Sequence, residues 1–316
     1  MKVNDLVTQF VAFRRTLGER FKTNEFLLRR FCREVGPRTP ITRIRLKVVR
    51  KFLDDTGPIT RSWHAKYFAL KGFFQFAVSR GDLREAPLPT EIPKKPPLLV
   101  PYIYSREEIR RLLDAIPSAT RGKFCRMESA TMRAILLLMY GAGLRRGEVL
   151  NLSIADADLA NSLLTIRNTK FFKSRLVPIS HDLTEVLREY ASWRKDAHPR
   201  AGVEGTFFVG RHGEAIHRCT LDNAFKRLRE HAGVRRSDGG RYQPRMHNLR
   251  HSFAVHRLTE WYRQGTDVQR LVYHLSVYLG HAHLSDTQVY LTMTPELLQQ
   301  AGKRFERYAR GEDNHA

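Results

Sequence analysis

The chain has 316 residues, a length that favours two domains over a single hydrophobic core. It carries 55 lysines and arginines against 32 aspartates and glutamates, a formal net charge of +23, which indicates an extended anionic partner and nucleic acid before a membrane surface. The cysteines Cys32, Cys125 and Cys219 lie far apart, which argues against a disulfide framework or a zinc site. No signal peptide and no apolar run of transmembrane length is found, so we expect a cytoplasmic, nucleoid-associated protein.

Residues 1–83 predict a small, all-helical domain. Apolar residues recur at helical spacing over 3–17, 22–34, 41–55 and 60–79. The aromatic residues of the last segment are better explained as core than as platforms for stacking bases. Basic residues cover the other faces: Arg14, Arg15, Arg29, Arg30, Arg43, Arg45, Lys47, Arg50 and Lys51. We therefore expect a helical module with a basic surface.

Residues 84–103 are rich in proline. Prolines at this density exclude a helix and a central strand, so the segment is interpreted as an extended, semi-rigid linker. It separates two basic modules, 1–83 and 104–316, which could hold one DNA duplex from two sides.

The second module opens with helices. Ser105 is a typical helix cap before an acidic first turn, and an apolar helix over 128–140 ends at glycines. Arg145 follows these glycines, so it is either held by a tight turn or caps the preceding helix. Glu148, three residues further on, is placed to pair with Arg145 and orient it.

The apolar period changes to two after residue 162, which predicts two short strands around Leu164–Ile166 and Leu176–Ile179. Pro178 favours an edge position for the second strand. The connection forms a hairpin tip that carries Lys170 and Lys173. A lysine at such a tip is usually only solvated, so this pattern alone does not indicate a function.

Further elements are predicted towards the C-terminus. Helices are expected over 181–195 and 220–232, with a strand at 206–209 between them. A last helix, about 295–309, starts with proline at its first position and an acidic first turn. Its apolar stripe consists of Leu298, Ala301, Phe305 and Tyr308.

The stretch 245–254 would, as a helix, place His247, Arg250 and His251 on one face. Histidine and arginine on a face that must also pack are costly unless an anion lies against them. The simpler alternative is a basic surface helix, and this stretch alone does not decide between the two.

Five motifs occur in one order along the chain: Gly-Leu-Arg145-Arg-Gly-Glu148, Thr-Lys170 before Arg-Leu-Val-Pro, His247-x-x-Arg250-His251, Leu-Gly-His281, and Tyr290 nine residues later. Together they resemble the tyrosine recombinase (phage integrase) family of site-specific DNA recombinases, most like those borne on mobile elements. The resemblance covers roughly residues 100–300 by motif and the N-terminal helices by architecture only.

The resemblance implies a mainly α-helical fold with a small β-hairpin or sheet: an all-helical core-binding domain that clamps DNA, then an α+β catalytic domain. The positions that match the family's active site are Arg145, Lys170, His247, Arg250, His281 and Tyr290. It further implies that the tyrosine attacks a DNA phosphodiester and forms a covalent 3′-phosphotyrosine. No metal or other cofactor is expected.

The chemistry of these residue types is consistent with that reaction. Two guanidinium forks, of Arg145 and Arg250, match the geometry of a phosphate on which negative charge develops. By resemblance His247 is the acid/base histidine, His281 a second phosphate-binding group, and Lys170 the acid that protonates the leaving 5′ oxygen.

The sequence departs from the family in two places. Family hairpins often carry glycine at the tip, whereas Phe171 and Phe172 stand here, which leaves the acid open between Lys170 and Lys173. Thr292 stands where many members have a second histidine.

Double-stranded DNA is the expected partner, bound by a homo-tetramer on two sites, with accessory or sister recombinases as further partners. Two alternatives to recombination stay open: relaxation of DNA by a type IB topoisomerase-like mechanism, and a non-catalytic DNA-binding accessory role on the same scaffold. That all the matched positions are filled argues against the second alternative.

Overall fold

The computed structural model describes residues 1–54, 59–96, 100–122, 125–167, 174–199, 205–240, 242–292 and 295–310. The chain divides into two compact units, Met1–Leu99 and Val100–Ala316, whose boundary falls inside the proline-rich segment. Within the described ranges, no helix has both the length and the apolar character needed to span a bilayer.

The first unit is built from helices. They are α1 (Val3–Thr16), α2 (Lys22–Val35), α3 (Leu46–Asp54) and α4 (Arg61–Ser79), with a 3₁₀ turn at Ile41–Arg43. Apolar residues at three- and four-residue spacing on α1, from Val3 to Val11, are buried against α2 and α4. The helices thus enclose one hydrophobic core.

The predicted helix over 41–55 is wrong at its start. Ile44 adopts an extended conformation between the 3₁₀ turn and α3 and is buried in the core of the unit. The β-branched residues before it favour helix only weakly, so burial of Ile44 decides the local conformation.

Aromatic residues of α4 form much of this core, as the sequence predicts. Trp63, Tyr67, Phe73 and Phe74 are buried, and the first two rings stack at a centroid distance of 5.4 Å. Phe68 is the exception, because 49% of it is exposed.

The second unit is also mostly helical. Its helices are α5 (Arg106–Asp114), α6 (Ile116–Thr120), α7 (Ser129–Gly141), α8 (Arg146–Leu150), α9 (His181–Ala197), α10 (Arg218–His231), α11 (Asn248–Arg263), α12 (Val268–Leu279), α13 (Ser285–Gln288) and α14 (Pro295–Ala309). The predicted fold class, mainly helical with a small sheet, is confirmed.

The sheet has the order β1-β2-β3 in the described part of the chain, formed by Ala157–Asp158, Leu163–Ile166 and Arg175–Pro178. Both pairings are antiparallel, and β2 pairs with β3 from Leu163 opposite Pro178 to Ile166 opposite Arg175. Because β3 is an edge strand, Pro178 is tolerated there without a backbone donor. The β2–β3 connection, residues 168–173, lies outside the described residues.

The strand predicted at 206–209 is wrong. Thr206 and Val209 form only isolated bridges, and the rings of Phe207 and Phe208 are both buried instead of alternating. The Val209 amide donates to the hydroxyl of Tyr190 at 3.1 Å, so a side chain replaces the neighbouring strand that a ladder would need.

Helix α11 positions the candidate site, since it packs against α7, α12 and α14. The turn after α7 contains Gly143 at a φ of +61°, where a Cβ atom would lie 2.5 Å from Phe253 on α11. The end of α12 contains Gly280 at a φ of +67°. These two turns need glycine, and both present backbone carbonyl groups to α11 side chains.

Candidate active site

The site begins at the turn between α7 and α8, where Arg145 is held on both sides. Its Nη1 donates to Glu148 Oε1 at 2.9 Å and its Nη2 donates to the carbonyl of Gly280 at 2.9 Å. The Arg145 amide also donates to Glu148, so the carboxylate caps α8. The predicted pairing with Glu148 is confirmed, and Arg145 caps the helix that follows it, not the preceding one.

A second arginine shares this carboxylate. Arg175, at the start of β3, donates from Nη1 and Nη2 to Glu148 at 3.0 and 2.9 Å, and from Nε to the carbonyl of Tyr278. Burial alone would raise the pKa of Glu148, but Arg175 and Arg145 outweigh it and lower the pKa to about 2. Glu148 is therefore a fixed anion that orients two cations.

Arg250, on the first turn of α11, lies deepest in the site. It is 1% exposed, and its Nη1 and Nη2 donate to the carbonyls of Gly143 and Leu279, each at 2.7 Å. Burial, followed by the charge of Arg145, lowers its pKa to about 10, so the side chain stays charged at neutral pH. The two carbonyls fix the plane of the guanidinium group.

Three histidines surround the arginines, and in each of them burial is the largest cause of a lowered pKa. The pKa is about 4 for His247, about 3 for His251 and about 4 for His281, and the charge of Arg250 contributes to every shift. All three rings are therefore neutral at pH 7. The rings of His247 and His251 lie 4.9 Å apart, and His281 Nδ1 lies 2.6 Å from the hydroxyl of Thr287.

Tyr290 completes the cluster. It is 3% exposed, and its hydroxyl lies 3.0 Å from His251 Nδ1. Its ring centroid lies 6.1 Å from that of His281. Burial raises the pKa of Tyr290, and the charge of Arg250 reduces that rise. The hydroxyl is thus protonated at neutral pH and lies beside a buried cation.

The structure brings five of the six predicted positions together: Arg145, His247, Arg250, His281 and Tyr290. They come from four separate segments of the second unit. Lys170 and its rival Lys173 lie outside the described residues.

Sequence reasoning assigned no role to three residues of the site. Arg175 is the first residue of the Arg-Leu-Val-Pro motif, and His251 follows Arg250 directly. Both residues therefore lie in the motifs, but the sequence does not show which residues they contact. Thr287, fully buried beside His281, gave no signal at all.

The comparisons with known proteins identify the family of this chain. The model of the phage integrase family matches residues 104–296. The chain belongs to the phage integrase family. This membership supports a site-specific recombinase that breaks and rejoins DNA.

Individual relatives extend over most of the chain. The integrase/recombinase y4rE of Sinorhizobium fredii is 32% identical over 96% of this chain and 95% of its own length. The tyrosine recombinase XerA of Thermococcus kodakarensis is 32% identical over 80% of this chain and 78% of its own. The integrase of transposon Tn1549, solved with transposon right end DNA, has a similar fold, with a TM-score of 0.69 at 18% identity over 98% of this chain and 100% of that chain.

Proposed function

We propose that Tyr290 is the nucleophile of this recombinase. The observation that carries the proposal is the position of its hydroxyl, beside the buried Arg250 guanidinium and 3.0 Å from a neutral histidine. Attack of this oxygen on a DNA phosphate forms a 3′-phosphotyrosine and frees a 5′ hydroxyl. Because the new phosphodiester stores the energy of the broken bond, rejoining needs no ATP and no added cofactor.

The arginines stabilise the charge that develops on the phosphate oxygens. Arg145 and Arg250 are the direct contacts, since burial raises the pKa of the Tyr290 hydroxyl and the charges of both arginines act on that hydroxyl to lower it. His281, whose ring centroid lies 6.1 Å from that of Tyr290, is a further phosphate ligand, and His247 is the acid/base group that the resemblance implies. Glu148 accepts hydrogen bonds from both Arg145 and Arg175 and thereby fixes the orientation of Arg145.

Lys170 is the proposed acid for the leaving 5′ oxygen. An alkoxide leaves poorly without a proton, so Lys170→Ala should slow cleavage of ordinary DNA by roughly 10²–10⁴. A substrate with sulfur at the bridging position releases a thiolate and needs no acid. Lys170→Ala should therefore cleave the sulfur substrate nearly as fast as the unaltered protein does.

Lys173→Ala is the matched control, since Lys173 belongs to the same predicted hairpin tip and carries the same charge. We expect it to show no rescue by sulfur. Rescue of Lys173→Ala, or of neither variant, would place the acid elsewhere.

The domain roles follow the same proposal. Residues 1–83 form a DNA clamp, 84–103 a linker, and 104–316 the catalytic domain with its tail helix α14. Exposed basic residues on or next to α3 support the first role: Arg45, Lys47, Arg50 and Lys51. Their positive charge suits the phosphate backbone of double-stranded DNA in the nucleoid.

The proposed assembly on DNA is a tetramer. Exchange of both strands between two duplexes requires four cleavages, and each chain supplies one Tyr290. Four chains therefore meet the requirement with one attack each, with sister or accessory recombinases as further partners.

The decisive experiment traps the covalent intermediate. The protein is incubated with fragmented DNA of its source genome, SDS-resistant adducts are isolated, and the trapped DNA ends are sequenced. The recovered site is then built into a nicked duplex that prevents religation. We expect an adduct with the unaltered protein and none with Tyr290→Phe, which should still bind the duplex.

Tyr140→Phe is the matched control. Tyr140 is partly buried, and its hydroxyl lies 2.9 Å from His256 Nδ1. This variant should keep the adduct. An adduct with Tyr290→Phe would disprove the assignment of the nucleophile, and relaxation of supercoiled DNA without a specific site would favour topoisomerase activity.

A further inference from the structure

His251 contacts the reacting oxygen itself. Its Nδ1 lies 3.0 Å from the Tyr290 hydroxyl, and the two ring centroids are 5.5 Å apart. Burial raises the pKa of this hydroxyl, and the nearby charge of Arg250 lowers it against that effect. With the His251 proton on Nε2, Nδ1 is the acceptor and the phenolic proton of Tyr290 is directed at it.

The other two histidines of the site are engaged differently. His281 Nδ1 lies 2.6 Å from the hydroxyl of Thr287, and His247 contacts the ring of His251 at a centroid distance of 4.9 Å. Among the residues that the structure describes, neither has a hydrogen bond to Tyr290. The histidine that contacts the Tyr290 hydroxyl is therefore His251, and not His247, the acid/base group that the family resemblance suggests.

Burial makes the His251 ring a weak base in the free protein, although it leaves the ring neutral and able to accept a proton. Burial and then the neighbouring charges of His247, Arg250, His281 and Arg245 lower its pKa to about 3. The ring is thus neutral at pH 7, and Nδ1 has a free lone pair if the proton resides on Nε2. A DNA phosphate bound at the arginines would add negative charge and raise the proton affinity of the ring.

We propose that His251, in place of His247, is the general base that takes the hydroxyl proton of Tyr290 during strand cleavage. This inference rests on the proposed function of Tyr290. As the Tyr290 oxygen bonds to phosphorus, its proton moves to His251 Nδ1, the bond from phosphorus to the 5′ oxygen breaks, and that oxygen takes a proton from the general acid. On religation the 5′ hydroxyl returns its proton to that acid, and His251 returns its own to Tyr290.

The first test measures single-turnover adduct formation on the nicked duplex that the trapping experiment defines. His251→Ala should slow the reaction by roughly 10²–10⁴, the contribution of a positioned base. His251→Asn keeps an oxygen near the position of Nδ1, which accepts a hydrogen bond but does not take a proton. It should be slowed to a similar extent, and recovery by His251→Asn would show positioning alone and overturn the role as base.

The second test changes the acidity of the nucleophile. Difluorotyrosine at position 290 is a stronger acid and needs less help in losing its proton. The loss caused by His251→Ala should then shrink by about tenfold or more, since the demand on a base falls with the pKa of the proton donor. An equal loss with both phenols would show a structural defect and contradict the proposal.

Helix α11 offers a matched control in the pair of His256 and Tyr140, whose hydrogen bond of 2.9 Å resembles that of His251 and Tyr290. His256→Ala should leave the rate of adduct formation unchanged. Faster adduct formation with His251→Ala would mean that the bond restrains the nucleophile, which also overturns the inference.

The outcomes separate this inference from the function on which it rests. If the unaltered protein forms its adduct at Tyr290 and the His251 variants react equally fast, only the role of His251 fails. If no adduct forms, or if it forms at another residue, the proposed function fails first.

Discussion

The two units use arginine in opposite ways. In the first unit the arginines lie on helix surfaces, and several pair with glutamates, as Arg15 does with Glu25 at 2.5 Å and Arg30 with Glu34 at 2.8 Å. In the second unit Arg250 is 1% exposed, and Arg175 retains 13% of its side-chain surface. Their guanidinium groups are held by backbone carbonyls or by a buried carboxylate.

This difference follows from solvation. A surface guanidinium stays hydrated, so it costs little and attracts phosphates in a way that salt weakens. A buried guanidinium loses its water, so it is tolerated only where fixed acceptors replace the water. The first unit can therefore supply affinity, whereas the second can supply a cation of fixed geometry at a reacting phosphate.

Among the changes that test this contrast between the units, the largest effect is expected from the buried arginine. Arg250→Ala should reduce single-turnover cleavage by about 10²–10³, the loss typical of one charge-stabilising donor. Arg250→Lys should not restore the rate, because an ammonium group does not reproduce the planar fork that contacts Gly143 and Leu279. Folding is checked by circular dichroism before the kinetics.

Arg194 is the control for the loss of a buried arginine that lies outside the candidate site. It is 6% exposed, and its Nη2 donates to the Thr206 carbonyl at 3.1 Å. Arg194→Gln should lower stability but leave cleavage by the folded fraction unchanged. If folded Arg250→Ala cleaves at the unaltered rate, Arg250 is a structural residue and the contrast between the units fails.

The surface arginines should instead govern salt dependence. We expect replacement by glutamine of four exposed basic residues on or next to α3 to weaken binding about tenfold or more near physiological salt. The slope of log affinity against log salt should become less steep by about 0.9 for each lost phosphate contact. The four positions are Arg45, Lys47, Arg50 and Lys51.

The matched control neutralises four arginines of the same unit that contact carboxylates: Arg14, Arg15, Arg29 and Arg30. Its slope should change less, because these charges are partly compensated. Deletion of residues 1–95 should flatten the slope further than either set. An unchanged slope after that deletion would contradict the role of the first unit as a clamp.

Acid should destabilise the second unit through its buried site. The pKa of Glu148 is lowered to about 2, so its contribution is complete above pH 4.5 and is lost as the pH falls towards 2. The pKa of His251 is lowered from 6.5 to about 3, so the unfolded chain takes up that proton first. Both effects reduce stability as the pH falls, by at most about 1.4 kcal/mol per pH unit for each titrating group.

Urea unfolding at pH 7, 5 and 4 measures this loss. Glu148→Gln should be less stable than the unaltered protein at pH 7 and should lose less on acidification. Glu107→Gln, at an exposed glutamate of α5, is the control and should follow the unaltered protein. Stability that rises between pH 7 and pH 4 would contradict the assigned charges.

The smallest effect is expected at the tail helix. Leu298 and Phe305 on α14 are 51% and 71% exposed, although Leu297 of the same helix is buried in the core. We predict that the two exposed residues dock on a neighbouring subunit, so Leu298→Asp with Phe305→Asp should reduce synaptic tetramers severalfold and spare DNA binding. The alternative is that Leu298 and Phe305 pack on their own domain, and their exposure argues against it.

Native gel electrophoresis with two labelled duplexes counts these tetramers. Val277→Asp is the control, since Val277 on α12 is 58% exposed and should not affect assembly. Truncation after residue 294 is the coarser form of the experiment. Tetramers at full yield in both tail variants would show that docking between subunits is not needed.

Much of the fold could be predicted because local patterns specify it. The apolar spacing of α1, the cap at Ser105 and the alternation of Leu164 and Ile166 each specify an element within a few residues. The strand predicted at 206–209 does not form a ladder, since the Val209 amide donates to the hydroxyl of Tyr190, 19 residues earlier, and not to a neighbouring strand.

The sequence by itself determined which residue types meet at the site, since ordered motifs carry Arg145, Arg250, His281 and Tyr290. Only the tertiary structure decided their partners. Arg175 lies 27 residues from Glu148, and His251 lies 39 residues from Tyr290, so no local pattern pairs them. Such contacts depend on how α11, α12 and the sheet pack, because burial and hydrogen bonding are set by neighbours in space, not in sequence.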